Sequence, residues 1–281
     1  VAAFHSYNYL LARENLTDHL NKDEKQGKIR QRLLKIRAKK VILATGALER
    51  PLIFNNNDRP GIMLSSAVKK YADFYGVVSG KKNVFFTNND SAYESALCLH
   101  NKGINVEAII DIRESSNSKI VKAVEEAGIE IHWSHTIVNT SGYKRLNGIS
   151  AMKLSNDGLS VTGNKINISC DCLGVAGGWT PAVHLFTQSG GKLKFDENDK
   201  IFLPNKYPSE QLSVGSCNGD FKLKEIINNL SINLKQFLKI DETDFDNILI
   251  ENEEENSKRN IWLLPSDKPI GKTKPFVDYQ N

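Results

Sequence analysis

Apolar positions along the chain alternate between two patterns. Short unbroken runs end in small residues: Lys40-Val-Ile-Leu-Ala-Thr-Gly46, Cys170-Asp-Cys-Leu-Gly-Val-Ala-Gly-Gly178, and Leu212-Ser-Val-Gly215 leading into Ser216-Cys217-Asn218-Gly219. Runs of this kind predict buried parallel strands that stop beside a ligand or a close-packed backbone. Other stretches repeat at helical spacing. Met63, Ala67, Tyr71 and Phe74 do so up to Gly76, and Leu223, Ile226, Ile227, Leu230, Leu234 and Phe237 mark one face of a long helix. Between them, residues 83–133 predict strand (83–87), helix (91–101), strand (106–112), helix (119–127) and strand (129–133). That order is the right-handed crossover of a Rossmann-type half. Residues 146–154 and 159–168 predict antiparallel strands joined at Asn156-Asp157-Gly158.

The predicted fold class is α/β, with two Rossmann-like domains, one inserted in the other and the first incomplete. Residues 1–78 with 179–240 should form the partial first domain, and 79–178 the inserted one. Acidic, Asn-rich text after Ile240 predicts a linker over 241–281, leading toward something outside this chain.

A dinucleotide turn wants Gly-x-Gly-x-x-Gly/Ala, because pyrophosphate must approach backbone N–H groups at the helix start. The inserted unit has Thr87-Asn88-Asn89-Asp90-Ser91-Ala92 there, with only Ala92 fitting the pattern. Side chains fill the phosphate space and Asp90 adds negative charge. Asp111 stands where a ribose-binding acid would, but this unit is expected to have kept the fold and lost the ligand. The other candidate is the pair of strand ends at Thr45-Gly46 and Gly215–Gly219, where backbone donors could meet a pyrophosphate or ring. Glycines that merely end strands explain them equally well.

The four cysteines suit neither a disulfide framework nor zinc. Cys170 and Cys172, sharing one strand face, are expected to pack as small apolar residues. Cys217 is open to a thiol role, and His184 to a functional one, while His132 and His135 are expected to be structural. No metal site and no hydrolase or kinase motif is visible. A charge of +4 without an aromatic-laced basic face argues against nucleic acid, and the basic run Lys22–Lys40 is expected to be solvated surface. No apolar run approaches the roughly 20 residues of a membrane span, and no signal peptide is seen, so the cytoplasm is the default. The start at Val1, without methionine, suggests a processed, truncated or internal piece.

Several strings resemble sarcosine oxidase alpha subunits of the heterotetrameric type. They are Ala44–Pro51, Asn56–Met63, Thr87–Tyr93, Gly177–Leu185, Gln188–Asp196 and Phe276–Asn281, in order along nearly the whole chain. The resemblance implies a fold like the pyridine nucleotide–disulfide oxidoreductases, without their redox cysteine pair. It further implies NAD in this subunit and a degenerate inserted domain. FAD would lie in the beta subunit, FMN at the alpha–beta interface, and tetrahydrofolate in a C-terminal domain; beta, gamma and delta subunits would be the partners. Sarcosine is then the small-molecule substrate, oxidised to glycine with peroxide and methylene-tetrahydrofolate as further products. This span has neither the opening Gly-x-Gly-x-x-Gly turn nor the folate domain. Only Thr45, Gly46, Gly215, Ser216, Asn218 and Gly219 carry over, as walls of the NAD pocket. No catalytic residue is expected, and NAD should bind this span weakly or not at all. Two alternatives stand: the alpha subunit of a proline or opine dehydrogenase, disfavoured because no iron–sulfur cysteine cluster lies in 220–281, and a non-catalytic scaffold.

Overall fold

A computed structural model provides the structure of the protein and describes residues 1, 3–241, 248 and 257–277. The chain divides into two units, Val1–Leu48 with Thr180–Glu253 and Glu49–Trp179 with Glu254–Asn281.

The second unit is built on a five-stranded parallel sheet. Its spatial order is Ile62–Leu64, Cys172–Ala176, Asn83–Thr87, Val106–Asp111, Ile131–Trp133. Asn83–Thr87 and Cys172–Ala176 are buried at every position, which is why they read as unbroken runs. Helices Ser65–Asp73, Ser91–Asn101 and Lys119–Glu126 contribute Val68, Ala72, Ala96, Leu99, Val121 and Val124 to a core on one face. On the other face, Val84, Phe86, Ile110 and Val175 share a core with Ile137, Ile149 and Ala151 of an antiparallel sheet. That sheet is formed by His135–Ser141, Gly148–Leu154 and Val161–Ile168. Phe86 meets Phe54 edge-on at 5.3 Å between ring centres. Each fully buried large side chain here is worth roughly 1.5–3 kcal/mol.

Several expectations change. The boundary drawn at residue 78 falls at residue 48, because Ile62–Leu64 pairs in parallel with Cys172–Ala176 and the helix after it packs on the same sheet. Part of the expected linker also belongs to this unit: Leu263 bridges Ile53, and Leu264 is core. The remainder of that segment, 242–247, 249–256 and 278–281, lies outside the described residues. The helix at 65–73 turns a different face inward than its spacing suggested. Small Val68 and Ala72 pack, while Tyr71 and Phe74 are exposed and Met63 sits in the preceding strand. Strand 135–141 gave no clear run in the sequence. Cys170 and Cys172 lie in opposite cores, because the strand starts only at Cys172 and the alternation does not reach back. Both are buried, and burial pushes each thiol up to about 12.

The first unit contains an antiparallel sheet of Ala3–His5, Tyr9–Asn15 and Gln31–Arg37, the last drawn from the basic run. A hairpin of Lys192–Asp196 and Ile201–Lys206 follows, then the helix Leu223–Leu238. Its core cluster is Phe4, Leu43 and Phe186. Strand Val41–Leu43 pairs with Gln211–Ser213, but its Ile42 is 41% exposed, so it is not sandwiched as expected. Among the described residues no helix is long and apolar enough to cross a membrane.

Glu49 is a buried acid that receives the Ser66 N–H at 2.8 Å, at the first turn of helix 65–73. Burial pushes its carboxyl above the ordinary value, against the Ser66 bonds. A carboxyl raised on folding keeps its proton longer in the folded chain, so stability falls as pH rises from the unfolded to the folded pKa. Glu49→Gln is therefore expected to flatten the dependence of Tm on pH just above the usual carboxylate range. An unchanged slope would count against a raised Glu49.

Candidate functional site

In the first unit, strands Val41–Leu43 and Gln211–Ser213 run in parallel register, Leu43 opposite Ser213. Both carboxyl ends therefore open at one edge. The Leu43 carbonyl accepts the Val214 N–H at 2.9 Å and the Cys217 thiol at 3.3 Å. Just past these points come Thr45-Gly46 and Gly215–Gly219, so the register places the two stretches at the same end of the strand pair. Gly46 and Gly215 both have positive φ, +75° and +72°, with no atom closer than 3.8 Å to an added Cβ. Backbone shape, rather than crowding, demands glycine at these two positions. Gly215–Asn218 forms a short 3₁₀ turn, closed by Gly219 at φ +95°. Ser216 accepts the Gly219 N–H through its carbonyl, and Asn218 is half-buried. The Thr45 hydroxyl donates to the Ala182 carbonyl at 2.7 Å, and the Ala182 N–H returns to Gly46 O at 3.0 Å.

Cys217 is buried, its thiol donating to the Leu43 and Val214 carbonyls. His184 is exposed at the start of a short helix, 184–188. His132 and His135 meet at 5.7 Å, with burial lowering the first. Among the described residues no group of three or more potential metal ligands occurs.

In the second unit, the turn after Asn83–Thr87 and the end of Val106–Asp111 are held by a network of side chains. Asn89 Oδ1 accepts the Ser91 N–H at 2.9 Å and the Ser91 hydroxyl at 2.6 Å, so the first N–H of the helix is taken by a side chain of the turn. Asp111 is fully buried and receives the Tyr93 hydroxyl at 2.8 Å. Arg113 binds it through Nη2 at 2.7 Å and Nε at 3.1 Å, and reaches Asp90 through Nη1 at 2.6 Å. Burial pushes the Asp111 carboxyl up, while the Arg113 bonds pull it back. Arg113 loses hydration, yet its bonds to Asp111 and Asp90 hold it above its ordinary pKa. Asp111, the acid flagged in the sequence, thus has an internal cation. Sequence reasoning flagged Asp90 and Asp111 but not Arg113, two residues past a strand.

No protein-family model matches the chain. It is 38% identical over 216 residues to the sarcosine oxidase alpha subunit of Corynebacterium sp. (strain P-1), covering 76% of this chain and 22% of that subunit. It is 31% identical over 266 residues to that of Rhizobium meliloti (strain 1021), covering 89% of this chain and 24% of that subunit. By sequence, the chain is a relative of the sarcosine oxidase alpha subunit. It spans about a quarter of the length of these relatives. The fold is similar to thioredoxin reductase of T. acidophilum (TM-score 0.54, 18% identity, 75% of this chain and 68% of that one). It is also similar to the Lactococcus lactis enzyme (TM-score 0.53, 16% identity, 75% and 70%). The α/β class and a Rossmann-like fold of the thioredoxin reductase type follow from this likeness. Relationship to the alpha subunits comes from the sequence, since the structural likeness speaks for fold alone.

Proposed function

We propose that this chain is the dinucleotide-domain region of the alpha subunit of a flavin-dependent sarcosine oxidase, and that its first unit supplies one wall of an NAD pocket. The observation that carries this reading is the pairing of Val41–Leu43 with Gln211–Ser213, which opens Thr45-Gly46 and Gly215–Gly219 at one edge. Ligands of open parallel sheets gather at the carboxyl ends of strands. Thr45, Gly46, Gly215, Ser216, Asn218 and Gly219 would line the pocket with small residues and backbone; this span contributes no glycine-rich anchor for the pyrophosphate. The two units would be the two halves of a discontinuous architecture, one dinucleotide-type domain interrupted by the other. In the whole enzyme, sarcosine, tetrahydrofolate and oxygen would give glycine, methylene-tetrahydrofolate and peroxide, with bound flavins carrying the electrons and the beta, gamma and delta subunits as partners. This region does none of that chemistry and serves as a binding and structural module.

NAD titrated against the full-length subunit should bind saturably. Gly215→Val should weaken it at least tenfold, because valine resists positive φ and its branches would enter the space now left open. The melting of the second unit should not change. Absence of saturable binding to the unaltered subunit would favour the scaffold reading. Equal binding by both proteins would move the pocket elsewhere.

A further inference from the structure

Residues 257–264 cross the carboxyl end of the five-stranded sheet in the second unit. Asn88, one residue past strand 83–87, accepts the Arg259 N–H through its carbonyl at 3.0 Å and returns its side-chain amide to Arg259 O at 3.1 Å. This two-way exchange ties the segment to the strand end through one backbone and one side-chain donor. The Arg259 guanidinium then caps carbonyls, Ile112 O at 2.7 Å through Nη1, and Ser155 O at 3.2 Å and Asn156 O at 2.6 Å through Nη2. Upstream, the carbonyl and hydroxyl of Ser257 sit on Arg113 Nη1 at 2.6 and 2.7 Å. Downstream, Ile261 closes over Gly158, where an added Cβ would lie 2.4 Å from its Cδ1. Trp262 Nε1 donates to Gly177 O at 2.6 Å, and Leu264 is buried in the core.

We infer that Ser257–Leu264 is the built-in occupant of this domain's nucleotide cleft, a stretch of the chain's own backbone and one arginine lying where a dinucleotide would. The chemistry of the cleft selects that occupant. Its rim presents acceptors, the carbonyls of Asn88, Ile112, Ser155 and Asn156. A phosphate brings only acceptors and would face them unfavourably, whereas a guanidinium and a backbone N–H supply the missing donors. The charges agree. Arg113 is already shared between Asp90 and Asp111, and the adjoining hollow of about 390 Å³ carries Glu114 beside Lys258 and Arg259. These six charges cancel, so no positive field remains to draw a pyrophosphate. The degenerate turn is therefore complemented as well as degraded, and the segment that complements it is attached covalently.

Amide hydrogen exchange on the full-length subunit tests this. Ile53, Arg259 and Leu264 donate, in order, to Trp262 O, Asn88 O and Ile53 O. They should exchange slowly in the unaltered protein, and millimolar NADH or NADPH should leave them so. Arg259→Ala should speed all three at least tenfold while the amides of helix 119–126 hold, and added nucleotide should not restore protection. Should that variant melt helix 119–126 as well, Arg259→Lys, which keeps one donor group, should give the selective pattern. Rates in the variants matching the unaltered protein would overturn the inference. So would a saturable rise in exchange at Arg259 and Leu264 on adding nucleotide, since the segment would then be a lid on a working site.

Discussion

Replacing Arg113 by alanine is expected to lower unfolding free energy by about 3–5 kcal/mol, the usual consequence of removing one partner from a buried ion pair. Its side chain is 5% exposed, and those of Asp90 and Asp111 are 4% and 0%. One guanidinium serves two carboxylates. Its loss leaves both buried without a countercharge, with only the Tyr93 hydroxyl and the residue 113 N–H on Asp111 and the Ser116 hydroxyl on Asp90, and Asp90 Oδ2 already has no partner among the described residues. The ring of Trp133 lies 5.8 Å from the Arg113 guanidinium, and Trp179 and Trp262 belong to the same unit, so tryptophan fluorescence can follow the unfolding of this unit during a urea titration. Arg113→Lys should sit between the two proteins, because a point charge cannot bridge both carboxylates as the planar fork does. Arg113→Met combined with Asp90→Asn and Asp111→Asn should recover most of the loss, since it removes charge and countercharge together. A loss below about 1 kcal/mol for the alanine variant would mean that water reaches these carboxylates, and the internal-cation account would fail.

Gly177→Ala carries the second large effect, about 1–3 kcal/mol, and for a steric reason. An added Cβ would lie 2.7 Å from the Arg50 carbonyl oxygen and 2.9 Å from that of Pro51. Both obstacles are backbone, so no side chain can swing aside. The same Arg50 oxygen accepts the Gly177 N–H at 2.7 Å, the Gly178 carbonyl accepts the Arg50 N–H at 2.8 Å, and the Gly177 oxygen holds the Trp262 indole. Relieving the clash therefore disturbs hydrogen bonds on both sides of the glycine. Gly163 is the control. It has open space around an added Cβ and only a positive φ to strain, so Gly163→Ala should lose about 1 kcal/mol or a little more. Thermal melts of the two variants should separate in that order, and equal shifts would show that Arg50 and Pro51 yield easily.

Much of the second unit was legible because its sheet is sandwiched. Strand 83–87 is buried on both faces, so selection for apolar residues acts at every position and the run stands out. Helix 91–101 matched its expected bounds because the apolar positions Ala92, Ala96 and Leu99 face one core. Helix 65–73 shows the limit. Helical spacing was present in two registers, and the neighbouring helix and strand accepted the one with small residues, which only packing could decide. In the first unit, Gln31–Arg37 intersperses Arg32, Lys35 and Arg37 with its apolar residues and was hidden in a basic run, since a strand paired mainly through backbone need not show a clean apolar pattern.

The sequence by itself determined the Rossmann order of the second unit, the loss of its glycine turn, and the kinship with sarcosine oxidase alpha subunits, because local composition and string identity carry those. Tertiary structure alone decided how the buried carboxylates and open carbonyls at that end of the sheet are satisfied. Arg113 reaches Asp90 from 23 residues away, and Arg259 arrives from about 150 residues further along the chain to cap the Ile112 carbonyl. Contacts between residues so distant in sequence leave no periodicity or spacing to read, and they exist only once the backbone has brought the partners within hydrogen-bonding reach.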